Sequence, residues 1–165
     1  MALKYKRLSN AELTELKKDF IDFLASQSIT APDWQKMISD EPDRCHGVIE
    51  LFSDIVYEKS LALIKCLEVK KDHHWQVMFF SDEAAEMIAF KLPEDSKYSF
   101  TSPRFNDMLA SGKVTLDGMK TEVFTGKKSF KVERSMEVFL EMEKGGVPAS
   151  EALWILLRKL VPAKS

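Results

Sequence analysis

Only two cysteines, Cys45 and Cys66, occur in 165 residues. Two thiols in a chain of this length make no disulfide framework, and such sparing use suits a reducing, cytoplasmic setting. Long apolar runs are also missing. Charged residues interrupt every one before it reaches the ~20 residues that a membrane-spanning helix needs. The opening MALKYKRLSNAEL has no apolar segment of the kind a signal peptide requires. No membrane association is expected. Neither sign of charge dominates: the net charge is −2, which gives no global attraction to nucleic acid. The balance does shift along the chain, from 8 Lys/Arg against 11 Asp/Glu over residues 1–62 to 10 against 7 over residues 111–165. A local basic patch is compatible with that shift. Internal repeats, low-complexity segments and linkers are absent, so 1–165 reads as a single domain. With 45% hydrophobic residues, it can bury roughly two-thirds of its unfolded-state surface and needs no metal to fold.

What is present reads as an α+β domain with N-terminal helices over 9–61, a central three-stranded antiparallel β-meander over 63–92, and mixed hairpin and helical structure over 102–161, ending in C-terminal helices. In LSNAEL, Ser9 can cap a helix, with Glu12 three residues on as in a capping box. ITAPDW repeats the device with Thr30 and Asp33 and places Pro32 in the first turn. DEPD at Asp40 to Asp43 gathers acids where a helix dipole favours them. The first helix is expected to carry Leu13, Leu16, Phe20, Phe23 and Leu24 on one face, and the third to run to about Leu61.

Between Leu63 and Leu92 the apolar period falls toward two. In the middle strand, Trp75, Val77 and Phe79 alternate with Met78 and Phe80, so both faces are apolar and a central strand covered on both sides is expected. The N-terminal helices are expected on one face and the C-terminal helices on the other. A short helix through Phe105, Met108 and Leu109 stops at Gly112. Asp117-Gly118 signals a hairpin, while the segment 119–125 reads as strand or helix. Ser129 is expected to cap a helix through Val132, Met136, Phe139 and Leu140. The last helix is expected to start near Pro148 and present Leu153, Leu156, Leu157 and Leu160.

CLEVKKDHHWQVMFF brings Cys66, His73 and His74 close together, and with Cys45 and His46 these are the residues that could bind zinc. The closely spaced ligand pairs of structural zinc sites do not occur. Cys45 and His46 diverge by about 100° on a helix, so the histidines read as turn residues and the cysteines as small hydrophobes. No cofactor or metal is expected. A Cys66 nucleophile would need an oriented base and an electropositive setting, and Lys65 beside it on a strand faces the other way. GKKS at Gly126 to Ser129 fails as a phosphate-binding loop, because the earlier glycine is Thr121 and Lys128 stands where Ser or Thr should bind magnesium.

In wider view, FTGKKSFKVER interleaves Phe124 and Phe130 with Lys127, Lys128, Lys131 and Arg134. With Lys120, these form the candidate nucleic-acid contact over 120–134. Carboxylate pairs such as Glu141/Glu143 fall on polar faces without a basic cluster to tune them. No catalytic residue is assigned. In LWILLRKL, Trp154 and Ile155 lie off the leucine stripe and are the candidate partner-binding residues.

At LKYKRLSNAELTELKKDFIDFLASQSITAPDW, IELFSDIVYEK and SMEVFLEMEKGG the chain resembles a family of small uncharacterised bacterial proteins, mainly of the Bacteroidota, catalogued only as a domain of unknown function. The resemblance implies no activity and no site residues. The residues themselves point to a non-catalytic cytoplasmic protein-binding or scaffold module, acting on another protein or on a second copy of the chain. A nucleic-acid-associated protein is the alternative, and a metal-dependent enzyme comes third.

Overall fold

A computed structural model describes residues 2–162. The chain divides into two compact units, one up to Leu61 and one from Ala62 onward.

The first unit is helical: α1 (Asn10–Glu15), α2 (Lys17–Ser26), α3 (Ala31–Asp40) and α4 (Pro42–Leu63), the last of which runs just past the unit's end. Both expected capping boxes are formed. The Ser9 and Thr30 side chains each accept a backbone N–H three residues on, and Glu12 and Asp33 return the bond. A turn at Leu16 (φ −95°, ψ 20°) divides the expected first helix into α1 and α2. Phe20 meets Trp34 and Phe52 at ring-centroid distances of 5.3 and 5.0 Å. The segment before α1 is strapped to α4 by polar side chains. Asp54 accepts the N–H groups of Lys4 and Tyr5 at 2.8 and 3.0 Å, and buried Ser53 accepts that of Leu8 at 3.0 Å.

The second unit is built on an antiparallel sheet: β1 (Cys66–Lys70), β2 (His74–Phe80), β3 (Ala84–Lys91), β4 (Glu122–Ser129) and β5 (Val147–Ala149), with helices α5 (Phe105–Ala110), α6 (Arg134–Glu143) and α7 (Glu151–Leu160). The expected meander β1–β2–β3 forms its centre. The sheet nonetheless has five strands, in the order β4-β3-β2-β1-β5, and not three.

The two additional strands are the edges. β4 is exposed on both faces along nearly its whole length, so its sequence carries no inward-outward alternation to announce it. β5 has three residues, and its Pro148 lies opposite Leu67 in the sheet; the last helix therefore starts at Glu151, capped by Ser150, and not near Pro148. Ser129 ends β4 instead of capping a helix, and α6 begins at Arg134.

The Asp117-Gly118 pair does not form a hairpin. The Gly118 N–H donates to Thr115 Oγ1 at 3.0 Å, the Met119 and Thr121 N–H groups reach back to the Thr115 and Leu116 carbonyls, and Lys120 takes the left-handed conformation (φ 55°). The segment is a compact run of turns that ends at β4. Burial of Met119, with Val114 and Leu116 packed on the core, holds it there.

Residues facing one another across an antiparallel ladder share a face. One face of the sheet carries Cys66, Trp75, Val77, Ile88 and Phe90, packed with Phe100, Phe105, Leu109, Met119, Trp154 and Leu157. On the other, Leu67, Met78, Phe80, Ala85 and Ala89 are buried. The middle strand is thus covered on both sides, as its double alternation predicts. Gly146 is needed for close approach on that second face: a Cβ there would lie 2.9 Å from the Glu141 carbonyl oxygen and 3.3 Å from Leu67.

Candidate functional site

β4 is the sheet's open edge. Its ladder with β3 runs from Ala84 opposite Ser129 to Lys91 opposite Glu122. The Phe130 N–H bonds the Glu83 carbonyl in the same register. Hydrogen-bonding direction alternates along a strand, so Glu122, Phe124, Gly126 and Lys128 point their backbone groups at β3. Val123, Thr125, Lys127 and Ser129 then point theirs away from the sheet. No backbone bond to these four from beyond the ladder is found among the described residues. Phe124 is 48% exposed on this edge. A groove of about 440 Å³ lies at the same edge on the opposite face of the sheet, lined by Glu86, Thr125, Lys127, Trp154 and Arg158 among others.

The opposite edge is closed to pairing. β5 is short, and Pro148 has no N–H to offer.

The basic residues of 120–134 do not form one surface. Lys128 is held by Glu137 at 3.1 Å and Glu141 at 3.4 Å. Arg134 turns inward, with Nε donating to the Ser81 carbonyl at 3.1 Å and Nη2 to those of Ile64 and Phe80 at 2.5 and 3.2 Å. Lys120, Lys127 and Lys131 remain exposed, Lys127 opposite Glu86 in the ladder.

A charged donor shared among backbone carbonyls is worth more than a neutral one. We therefore expect Arg134→Ala to lower stability by about 2 kcal/mol in chemical denaturation. Arg134→Lys should recover little of this, because one ammonium cannot reproduce the guanidinium fork.

A family model matches residues 1–162, nearly the whole chain. The chain belongs to DUF6495, a family of unknown function. No curated protein and no solved structure matches it.

Within this DUF6495 chain, Glu137 is the buried charge among the described residues of the second unit, 6% exposed. It accepts the N–H groups of Lys131 at 2.8 Å and Val132 at 3.4 Å besides its pairing with Lys128. Burial raises its pKa, but the Lys131 N–H and the Lys128 ammonium outweigh burial and hold the carboxyl below the ordinary glutamate range. For a depressed carboxylate, the stability contributed is present above the unfolded-state pKa and is lost as pH falls through the folded one. Glu137→Ala is accordingly expected to cost about 1–3 kcal/mol at neutral pH. That difference should shrink on acidification below the ordinary glutamate pKa, as urea titrations at several pH values would measure.

Cys66, His73 and His74 lie in different surroundings. Cys66 is fully buried in the core, and burial, with Glu151 nearby, pushes its thiol up to about 11. A thiol so protonated at neutral pH is a poor nucleophile. His73 sits in the β1–β2 turn and His74 opens β2, exposed. Among the described residues no three His, Cys, Asp or Glu side chains are grouped to hold a metal ion.

Trp154 and Ile155 separate as well. Trp154 is 4% exposed and stacks on Phe79 at 5.6 Å with 16° between the planes. Ile155 is 50% exposed. Of the proposed partner pair, only Ile155 is on the surface. No helix among the described residues is long and apolar enough to cross a membrane.

Proposed function

We propose that this chain is a non-catalytic, cytoplasmic binding module that recruits another polypeptide by pairing it with the open edge of β4. The observation that carries the reading is the row of outward-facing backbone groups at Val123, Thr125, Lys127 and Ser129, beside exposed Phe124. An added strand draws affinity from main-chain hydrogen bonds and specificity from alternate side chains. Here Phe124 and the groove beside Lys127 supply the side-chain part. Two free, buried cysteines are consistent with a reducing compartment. Nucleic-acid association is the second reading, for which the exposed side chains of Lys120, Lys127, Lys131 and Phe124 are the support; it requires salt-dependent retention on a nucleic-acid column.

The test is a photo-crosslinking residue placed at Phe124, or in a second variant at Ile155, in living cells of the native host. Polypeptide adducts at 124 and few at 155 are expected. Adducts at 155 alone would move the binding surface to α7, and none at either position would remove the reading.

A further inference from the structure

We infer that the chain recruited by β4 is a second copy of this protein, paired antiparallel about a two-fold axis through Thr125 to join two five-stranded sheets into one. This rests on the reading of β4 as a recruiting edge. It names the partner from the strand's own sequence, EVFTGKKS.

Antiparallel pairing about an axis perpendicular to the sheet keeps like faces together, so residues of the same parity meet. Centring the axis on Thr125 sets Glu122 opposite Lys128 of the second copy, Phe124 opposite Gly126, Val123 opposite Lys127, and Thr125 opposite itself. Every pair is favourable or tolerated. Opposite charges across a ladder attract, with Glu122 joining Glu137 and Glu141 around the half-exposed Lys128 ammonium, and a Thr–Thr pair is a good match. An aromatic ring laid over a glycine covers the bare backbone of an edge position. Gly126 has the space to receive it, since a Cβ there would meet only the Met87 methyl, at 3.6 Å.

The backbone agrees with the side chains. Thr125 points its N–H and C=O outward, so the self-pair is a hydrogen-bonded one, as are the two Val123–Lys127 pairs that flank it. The lysines also select the register. Moving the axis toward Ser129 sets Lys127 or Lys128 against its own copy, which like-charge repulsion disfavours. The contrast between edges fits a closed dimer, because β5 is blocked by Pro148 and only β4 can pair. A two-fold contact then uses up the free edge and stops there.

Sedimentation equilibrium of the full chain tests this. A mass twice 18.9 kDa is expected at micromolar concentration, together with three changes. Thr125→Pro removes an outward N–H that β3 does not use; it should raise the dimer dissociation constant at least a hundredfold while circular dichroism stays that of the parent. Should that variant fail to fold, Glu122→Lys serves in its place: it sets lysine against Lys128 of the partner and should raise the constant at least tenfold. Thr125→Cys should form a disulfide-linked dimer in air, because a hydrogen-bonded pair holds Cα atoms about 5.5 Å apart, whereas Ser129→Cys should not. A monomer at every concentration up to the solubility limit would overturn the inference. So would a dimer indifferent to Thr125→Pro and Glu122→Lys, or one crosslinked through Ser129→Cys. Adducts at position 124 with a different polypeptide would overturn it while leaving the edge reading intact, and no adducts at all would remove both.

Discussion

Replacing Trp75 with alanine is expected to lower stability by about 3–5 kcal/mol. The indole is fully buried and is the hub of the second unit's core, with Phe90, Phe100 and Phe105 at centroid distances of 5.6, 5.7 and 5.9 Å. Its removal opens a cavity among rings that belong to a strand, a connecting loop and a short helix, which cannot all collapse inward together. The polar ends add to the loss. The Trp75 Nε1–H donates to Glu68 at 2.9 Å, and the Lys70 ammonium stands 4.3 Å from the ring centroid, so alanine leaves the Glu68 carboxylate without that donor and takes one ring from Lys70, which keeps its bond to Asn106 at 2.7 Å. Trp75→Phe should lose less by keeping part of the ring contact. Urea unfolding followed by far-ultraviolet circular dichroism measures both, and a loss below about 1 kcal/mol for alanine would mean that the site repacks.

Trp154→Asp is expected to cost at least about 3 kcal/mol, since it removes a buried ring and adds a carboxylate in its place. Ile155→Asp, one residue along α7, should stay within about 0.5 kcal/mol of the parent, as exposed substitutions do. Adjacent positions on one helix thus give opposite results. The stack of Trp154 on Phe79 and the half-exposure of Ile155 are the cause. Thermal unfolding of the two single variants distinguishes them, and equal midpoints would place Trp154 outside the core.

Where a residue's role is set by its neighbours in the chain, sequence and structure agree. Ser9 with Glu12 and Thr30 with Asp33 form capping boxes because the bonds span three residues. The meander β1–β2–β3 follows from alternation in strands with a buried face. Agreement ends where the environment is supplied from far away. β4 is exposed on both faces, so its composition leaves 119–125 open between strand and helix and marks 126–129 only as basic, and its place at the edge depends on the pairing with β3. Asp117-Gly118 has the residues of a tight hairpin, yet burial of Met119 and the bond to Thr115 Oγ1 select a different turn.

Trp154 shows the same limit in a helix. The buried stripe of α7 centres on Leu157, with Trp154 to one side and Leu153 and Leu160 to the other. A broad sheet surface accepts that wider stripe, and a narrow leucine row underestimates it. Arg134 and Lys128 read as cations on offer to phosphate, whereas carbonyls and carboxylates distant in sequence engage them.

Residue-resolved amide hydrogen exchange across 122–129 bears most directly on β4 as the recruiting edge. It is recorded on the dilute protein and again after saturation with the chain that crosslinking at position 124 recovers. In the dilute protein, Val123, Thr125 and Lys127 should exchange fast, while Phe124, Gly126 and Lys128, bonded to β3, exchange slowly. On saturation, the first three should slow by at least tenfold and the second three should change little. Fast exchange at Val123, Thr125 and Lys127 in both samples would contradict strand pairing at this edge.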